Sequence, residues 1–200
     1  NFKNKVLATN ADETPIVLGS NRGTLGNAVT AHVVGEAGPQ IRAYDYAYNT
    51  DGSIQVDAAG LPVRGEFKNF GSVLPTFYGG WNNEFKYKNF NLAFLVDFNY
   101  GNKVISATEY YSRLRGLNQA TLVGRETGVT NSGITATAEN YYQAEARNIT
   151  STSVVSGDFI KLRQLSFGYS FPKSVMGKIS FLEGIDISFV ARNLAILMRK

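Results

Sequence analysis

The segment Phe90-Asn91-Leu92-Ala93-Phe94-Leu95-Val96-Asp97-Phe98-Asn99-Tyr100 decides the fold. Its even positions are all large and apolar. Its odd positions, Asn91, Ala93, Leu95, Asp97 and Asn99, are smaller or more polar. Alternation of this kind is the signature of a β-strand, which sends successive side chains to opposite faces. The residues just upstream alternate in the same way: Phe77, Trp81, Phe85 and Tyr87 share one face with Gly79 and Asn83, and Gly80, Asn82, Glu84 and Lys86 share the other. Only Lys88-Asn89 separates the two runs, and a two-residue link predicts a tight antiparallel hairpin.

The length of the Phe90–Tyr100 run discriminates between settings. Ten steps at ~3.3 Å each span ~33 Å. Tilted by ~40°, such a strand rises ~25 Å, the height of the apolar band of a transmembrane barrel. Aromatic residues close both ends, where interfacial girdles lie. A soluble β-sandwich accounts for the alternation equally well, but less well for the length.

Further runs extend the pattern. Leu165, Phe167, Tyr169 and Phe171 alternate with Gln164, Ser166, Gly168 and Ser170, and Pro172 ends the run because it cannot donate to a ladder. Ile185, Ile187, Phe189 and Ala191 alternate with Asp186, Ser188, Val190 and Arg192, and residues 173–184 between the two runs form a turn. Arg42, Tyr44, Tyr46 and Tyr48 lead into the turn signal Asn49-Thr50-Asp51-Gly52. A further strand is expected within residues 6–18. The connections are very unequal. Residues 102–157 form one long link in which Val104, Ala107, Tyr111 and Leu114 recur at helical spacing and Thr135–Arg147 reads as weakly helical. Short links on one side and long ones on the other are typical of outer-membrane barrels.

Composition narrows the functions. The chain has 200 residues, of which only 18% are charged, against a usual ~25%. It has no Cys and one His, so disulfides, thiol chemistry and multi-His metal sites are excluded within it. No apolar run approaches the ~20 residues of a spanning helix. The net charge of +4 is uneven: residues 1–100 carry −1 and residues 101–200 carry +5. Lys161, Arg163, Lys173 and Lys178 are scattered rather than clustered with aromatics, so nucleic-acid binding is not expected.

Motifs for catalysis or cofactors are lacking. There is no phosphate-binding loop, dinucleotide fingerprint, nucleophile elbow or zinc-protease helix. Gly19, Gly23 and Gly26 read as a turn, with no Lys at the spacing a phosphate cradle needs. A calcium loop around Asn49–Gly52 would start at Ala47 and end at Ala58, neither of which ligates through a side chain. Asp12 and Glu13 point apart in an extended chain. His32, in Ala31-His32-Val33-Val34, reads as structural, and Asn148-Ile149-Thr150 is a glycosylation sequon of low specificity. No enzymatic activity and no cofactor are expected.

Several blocks, in order, carry a resemblance. They are Val34-Gly35-Glu36-Ala37-Gly38-Pro39-Gln40-Ile41 with Tyr44-Asp45-Tyr46; Asp51-Gly52-Ser53-Ile54; Gly60-Leu61-Pro62-Val63; and Tyr78-Gly79-Gly80-Trp81-Asn82-Asn83 with Phe85-Lys86-Tyr87-Lys88-Asn89-Phe90. Gly101-Asn102-Lys103-Val104, Thr121-Leu122-Val123-Gly124-Arg125-Glu126, Asp158-Phe159-Ile160-Lys161-Leu162-Arg163 through Gly168-Tyr169-Ser170-Phe171-Pro172, and Val190-Ala191-Arg192-Asn193-Leu194 complete them. Together they resemble the C-terminal barrel region of the SusC/RagA-type TonB-dependent outer-membrane transporters. Two departures stand out: the Gly38–Tyr44 block lacks a second Gly, and Arg192 replaces a commonly small residue.

The resemblance implies an all-β fold. Residues 1–200 would be a fragment of a single C-terminal barrel domain of about 22 antiparallel strands. Residues 102–157 would be a long, partly helical extracellular loop, and the plug domain and last strands would lie outside the chain. It implies import of oligosaccharides or peptides across the outer membrane of a Gram-negative bacterium. A SusD-like surface lipoprotein would be the partner, and TonB would act through the N-terminal region absent here. In that setting Phe90, Leu92, Phe94, Val96, Phe98, Phe167, Tyr169, Ile187 and Phe189 are expected to face lipid. Asp97, Asn99, Asp186 and Arg192, opposite the apolar rows, would face the lumen. The alternative is a soluble β-rich carbohydrate-binding or interaction domain, in which the same polar residues face water.

Overall fold

The computed structural model describes residues 4–20, 26–172, 174 and 184–200. In chain order the strands and helices are β1 (Ile16–Ser20), β2 (Ala28–His32), β3 (Pro39–Tyr46), β4 (Arg64–Ser72), β5 (Phe77–Tyr87), β6 (Phe90–Tyr100), β7 (Lys103–Ile105), α1 (Ala107–Leu114), β8 (Val129–Asn131), β9 (Ile134–Ala136), α2 (Ala138–Asn148), β10 (Val154–Ser156), β11 (Phe159–Ser170) and β12 (Asp186–Arg199). Every strand pairing named below is antiparallel. Among the described residues no helix is long and apolar enough to cross a membrane. That statement does not bear on strands. The turn expected over residues 173–184 falls largely outside the described residues, as does Gly23 of the Gly19–Gly26 turn.

The chain divides into two compact units. The first joins Phe77–Tyr100 to Gly157–Lys200 and is one four-stranded sheet in the order β12-β11-β6-β5. The hairpin β5–β6 pairs without a break from Phe77↔Tyr100 to Tyr87↔Phe90, so its alternation is uninterrupted. Lys88 makes the reversal with φ at 52°. β11 is longer than its alternating core because the register slips between Leu162 and Gln164, placing Arg163 in a bulge against β6. β12 continues past Arg192 to Arg199 through two further slips against β11. Bulges break the period-2 pattern without ending the ladder, which is why the sequence shows only part of each strand.

The second unit joins Phe2–Thr76 to Gly101–Ser156. Its sheet has the order β1-β2-β3-β4, and two short ladders, β7·β10 and β8·β9, accompany it. Of the strand expected within residues 6–18 only Ile16–Leu18 is in a strand, the start of Ile16–Ser20, and the Arg42–Tyr48 run pairs as Pro39–Tyr46, with Tyr48 held separately in a bridge to Ile54. All the buried apolar residues of the described chain lie in this unit, among them Ala28, Ala31, Ile41 and Ala43 on the inner strands and Tyr110, Tyr141, Tyr142, Ala146 and Ile149 on or next to the helices.

The 102–157 link is thus a folded body. Ser106 caps α1 by accepting the Glu109 amide, and Thr137 caps α2 by accepting that of Asn140. Such caps are worth about 1 kcal/mol each. α2 packs Tyr141 and Tyr142 with Ala136 and Ala138, flanked by Leu61 and Val129. Polar bonds tie this body to the sheet of its own unit. Thr150 Oγ1 accepts the Tyr44 amide at 3.0 Å and donates to the Asn27 carbonyl at 2.6 Å. Glu145, 5% exposed, accepts from the Tyr46 hydroxyl at 2.5 Å and from Arg113 Nη1 at 3.0 Å. Arg113 Nε also donates to Glu109 at 3.1 Å.

Candidate functional site: a two-faced sheet

Residues directly opposite on paired strands share a face, so the register assigns the faces of the first unit. On one face lie Phe90, Leu92, Phe94, Val96 and Phe98 of β6. Across from them are Tyr87, Phe85, Asn83, Trp81 and Gly79 on one side, and Tyr169, Phe167, Leu165, Leu162 and Ile160 on the other. Ile187 and Phe189 of β12 pair with Tyr169 and Phe167 and continue the same surface. All nine residues expected on an apolar face are therefore brought together. The register adds Leu162, Ile160 and Met198, which the sequence pattern missed because the bulges displace them.

This face is a continuous aromatic sheet surface. Trp81 meets Phe94 edge-on with ring centroids 5.6 Å apart, and Phe85 stacks on Phe94 at 6.1 Å. Phe90 contacts both Phe167 at 5.7 Å and Tyr169 at 4.7 Å. Phe77 stacks on Phe98 at 5.1 Å. Gly79 makes room for that pair: a Cβ there would stand 2.9 Å from the Phe98 ring. Each such aromatic pair adds ~0.5–1.5 kcal/mol beyond its area. Nevertheless the face is open: Phe189 is 73% exposed, Trp81 60% and Phe167 45%. Soluble proteins rarely leave an apolar patch of this extent uncovered.

The opposite face is polar. Asp97 and Asn99 of β6 lie on it with Asn91, Ala93 and Leu95; Gly80, Asn82, Glu84 and Lys86 adjoin from β5. From β11 come Lys161, Gln164, Ser166 and Gly168, and from β12 Asp186, Ser188, Val190 and Arg192. The four residues expected opposite the apolar rows, Asp97, Asn99, Asp186 and Arg192, all sit here. Asn99 Nδ2 donates to the Gly157 carbonyl at 3.0 Å. Lys86 and Glu84 pair at 3.1 Å. The most organised feature was not legible in the sequence. Arg163, raised in its bulge, donates from Nε to Asp97 Oδ2 at 2.6 Å and from Nη1 to Asn193 Oδ1 at 3.1 Å. Asn193 itself has φ at 53°, the left-handed turn of the bulge on β12. Two bulges thus bring Arg163 and Asn193 together, and Arg163 reaches the Asp97 carboxylate between them.

Among the described residues no group of three or more His, Cys, Asp and Glu is placed to hold a metal ion. His32 ends β2 opposite Ile16 and Pro39, and Asn148 closes α2 with its side-chain oxygen accepting from Arg64 at 3.4 Å.

A sheet of long strands, apolar and open on one face and polar on the other, defines an antiparallel β protein. Comparisons with known proteins narrow it. No family model matches the chain. Two curated proteins of Formosa agariphila do: TonB-dependent receptor P3 is 27% identical over 139 residues, 70% of this chain, and TonB-dependent receptor P39 is 27% identical over 149 residues, 72% of this chain. The chain spans only 14% of the length of either relative. In fold it is similar to solved structures of the RagAB peptide importer. The open-open state matches with a TM-score of 0.65 at 16% identity, covering 96% of this chain and 22% of that one. The closed-closed state matches with a TM-score of 0.60 at 19% identity, covering 86% and 20%. The chain is thus similar in sequence to TonB-dependent receptors and in fold to the RagAB peptide importer, over part of the length of each.

Proposed function

We propose that the chain is a segment of the barrel of an outer-membrane TonB-dependent receptor that imports oligosaccharides or peptides with a SusD-like surface lipoprotein. The observation that carries this reading is the two-faced sheet, with strands of 11 to 14 residues and an exposed aromatic face. In this setting the Phe90–Phe98 row, with Phe167, Tyr169, Ile187 and Phe189, faces lipid. Asp97, Asn99, Asp186 and Arg192 face the lumen. The low charge follows from having hydrocarbon as the solvent of one face. Further strands of the full-length protein cover the edges β5 and β12 and close the barrel. Residues 102–157 form an extracellular body, and the tight turn at Lys88-Asn89 is periplasmic. The relatives are receptors and an importer by name, which supports a role in uptake rather than catalysis.

The test is fractionation of cells expressing the full-length protein. Recovery in the outer membrane, release only by detergent and a mobility shift on heating in a gel are the expected results. Recovery in the soluble fraction without detergent overturns the reading and favours the soluble domain.

A further inference from the structure

The polar face is not electrically even. Lys161, Arg163, Arg192 and Arg199 gather on β11 and β12, where Arg192 pairs with Gln164 and Arg199 with Phe159. From Phe159 to Gln164 is ~17 Å of strand, so four cations share a stripe of about that length. Among the described residues the carboxylates of that face offset only one of them. Glu84 is engaged by Lys86 on β5, and Asp186 stands at the far end, opposite Ser170. Among the described residues only Asp97 lies within the stripe; its Oδ2 pairs with Arg163 at 2.6 Å, while its Oδ1 is buried without a partner.

Arg163 is held as a binding group would be. Asp97 on β6 and Asn193 on β12 fix the guanidinium plane from two sides. Its side chain stays 40% exposed, and among the described residues its bonds run from Nε and Nη1, not Nη2. A planar fork pre-oriented by two bonds loses little entropy when it takes up a carboxylate. Lys161 is also pre-positioned, its Nζ 4.0 Å over the Phe159 ring. Arg192 is exposed and has no ion-pair partner among the described residues.

We propose that this stripe is a binding site for a multiply carboxylated oligomer, so that the transported substrate is acidic. The proposal rests on the transport reading and assigns its substrate class. Arg163 is the central contact, Lys161, Arg192 and Arg199 extend the field, and Asp97 and Asn193 are positioning residues.

The full-length protein, purified in detergent, is titrated calorimetrically with tetragalacturonate and tetraglutamate, and with the neutral maltotetraose and tetraserine. The expected result is that one acid binds and its neutral counterpart does not; which acid binds identifies a saccharide or a peptide source. Arg163→Gln and Arg192→Gln each weaken that binding about tenfold or more. Arg163→Lys, which keeps the charge and loses the fork, weakens it less. Binding by the unaltered protein also falls as salt rises, a readout that needs no variant. Arg192→Gln guards against misfolding, since Arg192 holds no ion-pair partner among the described residues. Unchanged affinity in the Arg163→Gln and Arg192→Gln variants, equal binding of neutral oligomers, or no binding of either acid overturns the proposal. The same preparation is scored for outer-membrane recovery. Protein recovered there without affinity for either acid sinks this inference alone, whereas a soluble protein sinks the transport reading beneath it.

Discussion

Replacing Phe94 by Arg tests the lipid-facing assignment most directly. Phe94 is the fifth of the eleven residues of β6, four steps from Phe90 and six from Tyr100. At ~3.3 Å per step and a tilt of ~40°, that places it ~10 Å from one end of the apolar band and ~15 Å from the other. In the proposed setting it lies near the bilayer midplane, where Arg on the lipid face costs ~2–4 kcal/mol. The ring contacts with Trp81 and Phe85 are lost as well, at ~0.5–1.5 kcal/mol each. Phe94→Ala removes the contacts without adding a charge and so isolates the membrane term. Ala93→Arg places the same charge one residue away on the polar face, opposite Glu84 and Ser166, and should cost little. The assay is reversible urea unfolding of the full-length protein in lipid vesicles, followed by the heat-dependent gel shift. Expected is a loss for Phe94→Arg that exceeds that of Phe94→Ala by ~2–4 kcal/mol, with Ala93→Arg near the unaltered protein. If Phe94→Arg and Ala93→Arg behave alike, the two faces do not meet different solvents, and the assignment falls.

The second unit offers two further tests. Glu145→Ala leaves the Tyr46 hydroxyl and the Arg113 guanidinium without their shared acceptor, which should cost about 3 kcal/mol and open residues 101–156 to limited proteolysis; an unchanged digestion pattern would show that the acceptor is dispensable. Burial, followed by the nearby Glu145 carboxylate, pushes the Tyr141 phenol up to about 12. Because the folded value lies above the ordinary one near 10, the neutral phenol's contribution is complete below pH 10 and is lost as pH rises towards 12. Tyr141→Phe should flatten the alkaline fall in stability across that window, and an identical pH profile would mean that another group governs it.

What the sequence showed depended on bulges and on side-chain size. β5 and β6 were legible from end to end because their ladder has no slip, so Phe77 to Tyr100 alternates as an ideal hairpin does. β11 and β12 were legible only where alternation survives, from Gln164 and up to Arg192; the bulges at Arg163 and Asn193 hid the remainder, and with it Arg163 itself. β2 was missed because Ala28 and Ala31 are too small to mark a face, although both are fully buried. β4 was missed because its register slips twice against β3 and Phe67 and Phe70 fall out of phase. The helices were placed nearly correctly: Ala107, Tyr111 and Leu114 fall on α1 at helical spacing, although Val104 belongs to β7, and Thr135–Arg147 covers α2 but for Asn148, with Thr135 and Ala136 in β9 instead. That α2 packs with Leu61 was not visible, because no local period encodes a contact across so much chain.

The short ladder β7·β10 has a consequence for how the first sheet assembles. β6 and β11 are neighbours in the sheet although residues 102–157 intervene. Closing a flexible loop of that length would cost roughly 3–4 kcal/mol in chain entropy. β7 and β10 pair Lys103 with Ser156, so the intervening body draws its own two ends together. Once it has folded, only a few residues on either side separate Tyr100 from Phe159, and the remaining closure cost falls by about 2 kcal/mol. The insertion then acts as a clasp fastened in advance: a long-range strand pairing is converted into one with nearly the contact order of a hairpin.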